Sequence, residues 1–135
     1  MTQTLAQVTL VVREYDEAIA FFTEKLGFHL LEDSALSDGK RWVVVGPDGL
    51  GSLRLLLARA STPLEVRTIG TQTGGRVFLI LHTDNFSIDY SAMQSRGVKF
   101  LEAPRAESYG TVAVFADLYG NKWDLLMPSC TSSSS

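Results

Sequence analysis

The chain has little of what the simplest functional assignments require. Among its 135 residues there is one cysteine, and the two histidines, His29 and His82, stand far apart in sequence. Cys130 precedes a Ser-rich end and reads as a free thiol on a frayed, disordered tail (129–135), neither a nucleophile nor an intermolecular bridge. No Ser sits in a Gly-x-Ser-x-Gly elbow, and no glycine-rich loop follows a strand; Thr73-Gly74-Gly75 precedes one. Covalent catalysis and nucleotide binding are therefore unsupported. The net charge is -3 and the twelve basic residues are scattered, without the stripe that neutralises phosphates, so nucleic acid is not an expected partner. No apolar run approaches the about 18 residues of a membrane span, and the N-terminus has neither a basic region nor an apolar signal segment. The expectation is a soluble cytoplasmic protein with no membrane partner.

What the chain does have is a repeat. Adding 70 to a residue number maps the first half onto the second without a gap. Gly27-Phe28-His29-Leu30-Leu31-Glu32 falls on Gly97-Val98-Lys99-Phe100-Leu101-Glu102, and Arg54-Leu55-Leu56-Leu57 falls on Asp124-Leu125-Leu126-Met127. Two tandem copies of one supersecondary unit explain the match. With 45% hydrophobic residues in so short a chain, the copies are expected to share one core.

The first copy opens with a strand, Leu5 to Val12, in which Leu5, Gln7, Thr9 and Val11 share a face. Tyr15, Ala18, Ile19, Phe22 and Leu26 recur at helical spacing, with Gly27 placed as a left-handed cap, so the pattern predicts a helix over 15–26. Phe21 and Phe22 lie on its core face. Strands follow over 28–32, 41–45 and 53–57, separated by Asp38-Gly39 and Pro47-Asp48-Gly49. The second copy repeats the order: a strand over 76–83, a helix capped by Asp84 or Asn85 and ending at Gly97, then strands over 98–101, 111–115 and 122–127. Each copy is βαβββ in an α+β fold. Module one spans about 4–59 and module two about 76–128, while 60–75, rich in Thr, Gly and Ser, reads as a connecting loop.

These motifs resemble the vicinal-oxygen-chelate superfamily, the group of glyoxalases, bleomycin-resistance proteins and extradiol dioxygenases. The resemblance rests on Gln7-Val8-Thr9-Leu10-Val11-Val12, on Ala18 to Gly27 with Phe21-Phe22, and on Asp117-Leu118-Tyr119-Gly120-Asn121-Lys122-Trp123-Asp124-Leu125. It implies two tandem βαβββ modules forming a cleft between curved mixed sheets. In metal-dependent members, the first and last strands of each module supply one ligand each. Carried over residue by residue, those positions fall on Gln7 and Arg54 in module one. In module two they fall on Val77 (or Arg76, if a bulge intervenes) and on Asp124. A guanidinium has only donors and cannot ligate, and neither Val77 nor Arg76 can. Gln7 and Asp124 remain as metal ligands, too few for a divalent cation. The expectation is a small-molecule binder without the full metal site and without a cofactor.

Arg54 and Asp124 are equivalent under the shift and are expected either to pair or, with Arg54 free, to leave a bidentate anchor for an anionic ligand. Tyr109, ahead of Gly110, is expected near the cleft mouth, stacking on a ligand or closing a sheet edge. His82 is expected to face the helix layer as a core histidine, and His29 to face solvent. Trp123 reads as core, Trp42 as either core or surface, and Glu102, Arg105 and Glu107 as a solvated loop. The alternatives are a metal-dependent lyase, isomerase or dioxygenase, and a structural protein whose cleft is filled by its own side chains. The resemblance also implies a homodimer.

Overall fold

The computed structural model of the chain describes residues 1–49 and 51–129, so Cys130 and the rest of the Ser-rich end lie outside the described residues. It divides into two compact units, one ending at Gln72 and the other beginning at Thr73. Each holds its own mixed sheet, an α+β architecture built twice.

In the first unit the order is β1 (Gln7–Val12), α1 (Tyr15–Ala20), β2 (His29–Ala35), β3 (Arg41–Gly46), β4 (Arg54–Arg59) and α2 (Pro63–Thr68). The sheet runs β1-β4-β3-β2, with β1 parallel to β4 and the other pairs antiparallel. The helix predicted over 15–26 is α-helical only to Ala20 and continues as a π-helical stretch, Phe21–Lys25. Gly27 then reverses the chain at φ 76°, as the cap reading requires. One sheet face is covered by this helix: Leu10, Val12, Val43, Leu55 and Leu57 are buried there with Tyr15, Ala18 and Phe22. Burying each large aliphatic side chain stabilises by about 1.5–3 kcal/mol, so this layer holds the unit together.

Within 60–75, the stretch read as a loop contains α2. Thr62 accepts a hydrogen bond from the Glu65 amide at 3.1 Å, and the Glu65 carboxylate accepts from the Ser61 amide at 2.9 Å. Pro63 at the first helical position completes the start signal.

In the second unit the order is β5 (Val77–His82), α3 (Phe86–Ser95), β6 (Lys99–Phe100), β7 (Arg105–Glu107), β8 (Gly110–Ala116) and β9 (Lys122–Pro128). The sheet runs β5-β9-β8-β6, and β7 adds to β8 beyond the end of β6. Asn85 caps α3 through the Ile88 amide at 3.3 Å. Ring contacts run from Phe86 through Tyr90, Phe100 and Phe115 to Trp123 at centroid separations of 4.5–5.8 Å. They fix the Phe115–Trp123 face as the helix-covered one. Ser129, placed in the tail by sequence, donates its amide to the Tyr109 carbonyl at 2.8 Å. No helix among the described residues is long and apolar enough to cross a membrane.

Candidate functional site

Each sheet leaves one face away from its helix, and the chemistry of the chain lies on those faces. In the first unit, β1 and β4 run in parallel with Gln7 beside Arg54 and Thr9 beside Leu56. Alternation puts these four, with Val11, Val44 and Trp42, on the face opposite the helix. Gln7 and Arg54 are both exposed. Among the described residues the Arg54 guanidinium has no ion pair or hydrogen-bond partner. The other arginines of β3 and β4 are engaged. Arg41 bridges Asp16 at 2.9 Å and Asp33 at 2.7 Å, and Arg59 reaches Glu14 at 3.6 Å. Hydrogen bonding to Arg41 holds the Asp33 carboxyl below the usual range. Trp42 is 37% exposed and so belongs to the surface. His29 is exposed as expected, 3.9 Å from Asp48.

Gly46 follows Val45, the register partner of Leu55, so the strand next to Arg54 has no side chain there. A Cβ on Gly46 would approach the Leu31 methyl at 3.3 Å and the Arg54 Cγ at 3.7 Å. The flank of Arg54 is therefore low.

In the second unit the register departs from the ungapped shift. Val77 pairs with Lys122, a β-bulge intervenes, and Leu79 pairs with Trp123, so that Ile80 stands beside Asp124. The extra residue flips the alternation of the rest of β5. His82, expected against the helix layer, is exposed beside Leu126 on the face that carries Asp124. Neither Val77 nor Arg76 is the neighbour of Asp124; the neighbour is an isoleucine, 56% exposed.

Asp124 pairs across the ladder with Val114 on its other side. Its Oδ1 is buried and without a hydrogen-bond partner. Burial raises the Asp124 pKa, Arg105 lowers it and Glu102 raises it again. Among the described residues Asp124, like Arg54, makes no ion pair.

The charged stretch read as a solvated loop is an organised cluster. Glu102 accepts the Arg105 Nε–H at 2.9 Å and the Val114 amide at 3.2 Å, so its carboxylate replaces the ladder partner that β6 ceases to supply. Arg105 also donates to Glu107 at 2.6 Å. The bonds to Glu107 and Glu102, and one to Tyr109, raise the Arg105 pKa further. Tyr109 is half exposed in the two-residue turn joining β7 to β8, where Glu107 pairs with Gly110. The antiparallel register puts Arg105 beside Val112, on the Asp124 face. No sequence motif marked this cluster; the signal was the alternation of charge around Pro104.

A hollow of about 590 Å³ in the second unit lies at its edge between Thr83, Glu107, Gly110 and Pro128. A hollow of about 380 Å³ in the first unit lies at Tyr15, Trp42, Ala58 and Arg59. Neither is lined by Arg54 or Asp124. Among the described residues no three His, Cys, Asp or Glu side chains stand together as a cation shell needs.

The comparisons agree with this architecture. Residues 4–125 match the model of the Glyoxalase/Bleomycin resistance protein/Dioxygenase superfamily. An uncharacterized protein of Shewanella frigidimarina is 55% identical over 127 residues, 93% of this chain and 94% of that one. The crystal structure of UcmS2 has a TM-score of 0.81 at 30% identity, covering 93% of this chain and 98% of that one. TnmS3, an antibiotic binding protein from Streptomyces sp. CB03234, has a TM-score of 0.74 at 30% identity, covering 96% and 98%. With its doubled strand order and these matches, the chain belongs to the glyoxalase/bleomycin resistance protein/dioxygenase superfamily.

Proposed function

We propose that this protein binds a small organic molecule bearing an anionic group on the uncovered face of the first unit's sheet, without a metal ion. The observation that carries the reading is the free guanidinium of Arg54 beside Gln7. An unengaged, exposed arginine presents a fork of donors matched to a carboxylate or phosphate, and the Gln7 amide adds both a donor and an acceptor. Leu56, Val11 and Trp42 on the same face give apolar area for the body of a ligand. The likeness to TnmS3, an antibiotic binding protein, supports retention of an organic molecule as the task.

The donor set does not fit a divalent cation. Gln7 is neighboured by an arginine, and Asp124 by an isoleucine. Metal-assisted isomerisation or ring cleavage is therefore the weaker reading. Nothing in the arrangement assigns a catalytic group, and binding in the cytoplasm by a homodimer is the form of the proposal.

The test is a fluorescence titration with 1-naphthoate, following Trp42 and comparing Arg54→Ala with the original chain. Trp123 is buried and gives a steady background. Saturable quenching weakened at least tenfold by the substitution supports the reading. No binding, or binding indifferent to Arg54, overturns it. Stoichiometric zinc, nickel, manganese or iron in protein purified without chelator would reinstate the metal.

A further inference from the structure

We propose that Asp124, on the second unit's sheet, is the anchor for a protonated amine carried on an apolar ligand, an inference that rests on the small-molecule reading above. The starting observation is the buried, unpartnered Oδ1 of Asp124. A buried acceptor without a donor costs about 1–3 kcal/mol, and more when it is charged, so a partner arriving from outside the chain removes a standing penalty.

The surroundings select the kind of partner. Asp124 stands between Val114 and Ile80, and the next row of the same face holds Val112 and Leu126. Val114, Ile80 and Leu126 give an accessible apolar floor, over a fully buried Val112. Arg105 does not supply the missing donor, because its guanidinium is engaged by Glu102 and Glu107. One arginine thus answers two glutamates and leaves Asp124 without a cation in contact. His82 beside Leu126 and Lys122 two residues before Asp124 share the face, and both are exposed to water. A hydroxyl would supply a hydrogen bond but leave the carboxylate charge uncompensated in an apolar setting. An ammonium supplies both.

The isoleucine at the neighbouring position strengthens the argument. Beside Arg54 the first strand offers the polar Gln7; beside Asp124 it offers Ile80, which cannot hydrogen-bond but can cover the methylene next to an ammonium group. An amine on an aryl-alkyl body matches that pairing of one acceptor with one aliphatic wall.

The experiment is a titration of the full chain with phenethylamine and, separately, with phenethyl alcohol, following the backbone amide signals of Asp124, Val114 and Ile80. The amine is expected to shift these signals and to bind at least tenfold more tightly than the alcohol. Asp124→Asn, with Asp124→Ser as a second variant, is expected to reduce the amine to the level of the alcohol. Equal binding of the two probes, shifts confined to other residues, or an unchanged affinity in both folded variants would overturn the proposal. 1-Naphthoate is titrated in parallel. If it binds through Arg54 while phenethylamine does not bind, the amine assignment alone fails; if neither binds, both readings fail.

Discussion

The indole N–H of Trp123 donates to the Asp117 carboxylate at 3.1 Å, so the residue before Asp124 is fixed by the turn that precedes its strand. The same carboxylate accepts the amides of Tyr119 and Asn121, each at 3.0 Å, and the Asn121 side chain. Asp117, Asn121 and Trp123 are all buried. Asp117→Ala leaves these donors unanswered and is expected to cost about 3 kcal/mol. A chemical-denaturation midpoint within error of the original chain would show that the turn does not depend on it.

Gly110 is held at φ 147°, and a Cβ there would collide with the Met127 carbonyl oxygen and lie 2.9 Å from the Pro128 Cα. Both obstacles are backbone, which cannot swing aside. Gly110→Ala is expected to destabilise the second unit by about 3 kcal/mol or more. Calorimetry should show this as a lowered or lost transition.

Thr62 tests the helix that the Thr- and Gly-rich stretch conceals. Thr62→Ala removes the acceptor for the Glu65 amide and is expected to cost about 1 kcal/mol, while Thr62→Ser retains it. Faster hydrogen exchange of the Glu65 and Val66 amides in the alanine variant is the local readout.

The Asp124 carboxyl has its pKa raised by burial. With the folded value above the unfolded one, its contribution to stability is complete below the unfolded value, 3.8, and is lost as pH rises through the folded value. Asp124→Asn removes that loss, so the variant is expected to be more stable than the original chain at pH 7 and to lose the advantage at pH 3. Thermal unfolding at the two pH values checks the sign; a destabilised variant at pH 7 would contradict it.

Much of the fold was legible because backbone chemistry announces itself locally. Gly27 and Gly97 mark helix ends since only glycine takes positive φ without cost, and both have it, at 76° and 92°. Trp123 could be placed in the core from alternation alone. What escaped was of two kinds. The start of α2 was written in Thr62-Pro63-Leu64-Glu65, a capping pattern obscured by the loop-forming residues around it. The position of His82 was not written locally: one extra residue in β5 inverts every later side chain, and a bulge leaves no compositional mark. For the candidate site, the neighbours Gln7 and Arg54 follow from a register with no bulge. The Glu102–Arg105–Glu107 cluster does not, because its place next to Asp124 depends on β7 pairing with β8 across the chain.

That single inserted residue in β5 also bears on how the two halves of the chain came to differ. A duplicated segment starts with two identical sets of neighbours, and point substitutions then alter them one at a time. A bulge alters a whole row at once. After the bulge the Asp124 face of β5 carries Ile80 and His82, where uninterrupted alternation from Val77 would carry Leu79 and Leu81, so the row changes with no change of letter. The two halves therefore diverged in the company each strand keeps as well as in the letters they carry, and counting matched letters understates how different their surfaces have become.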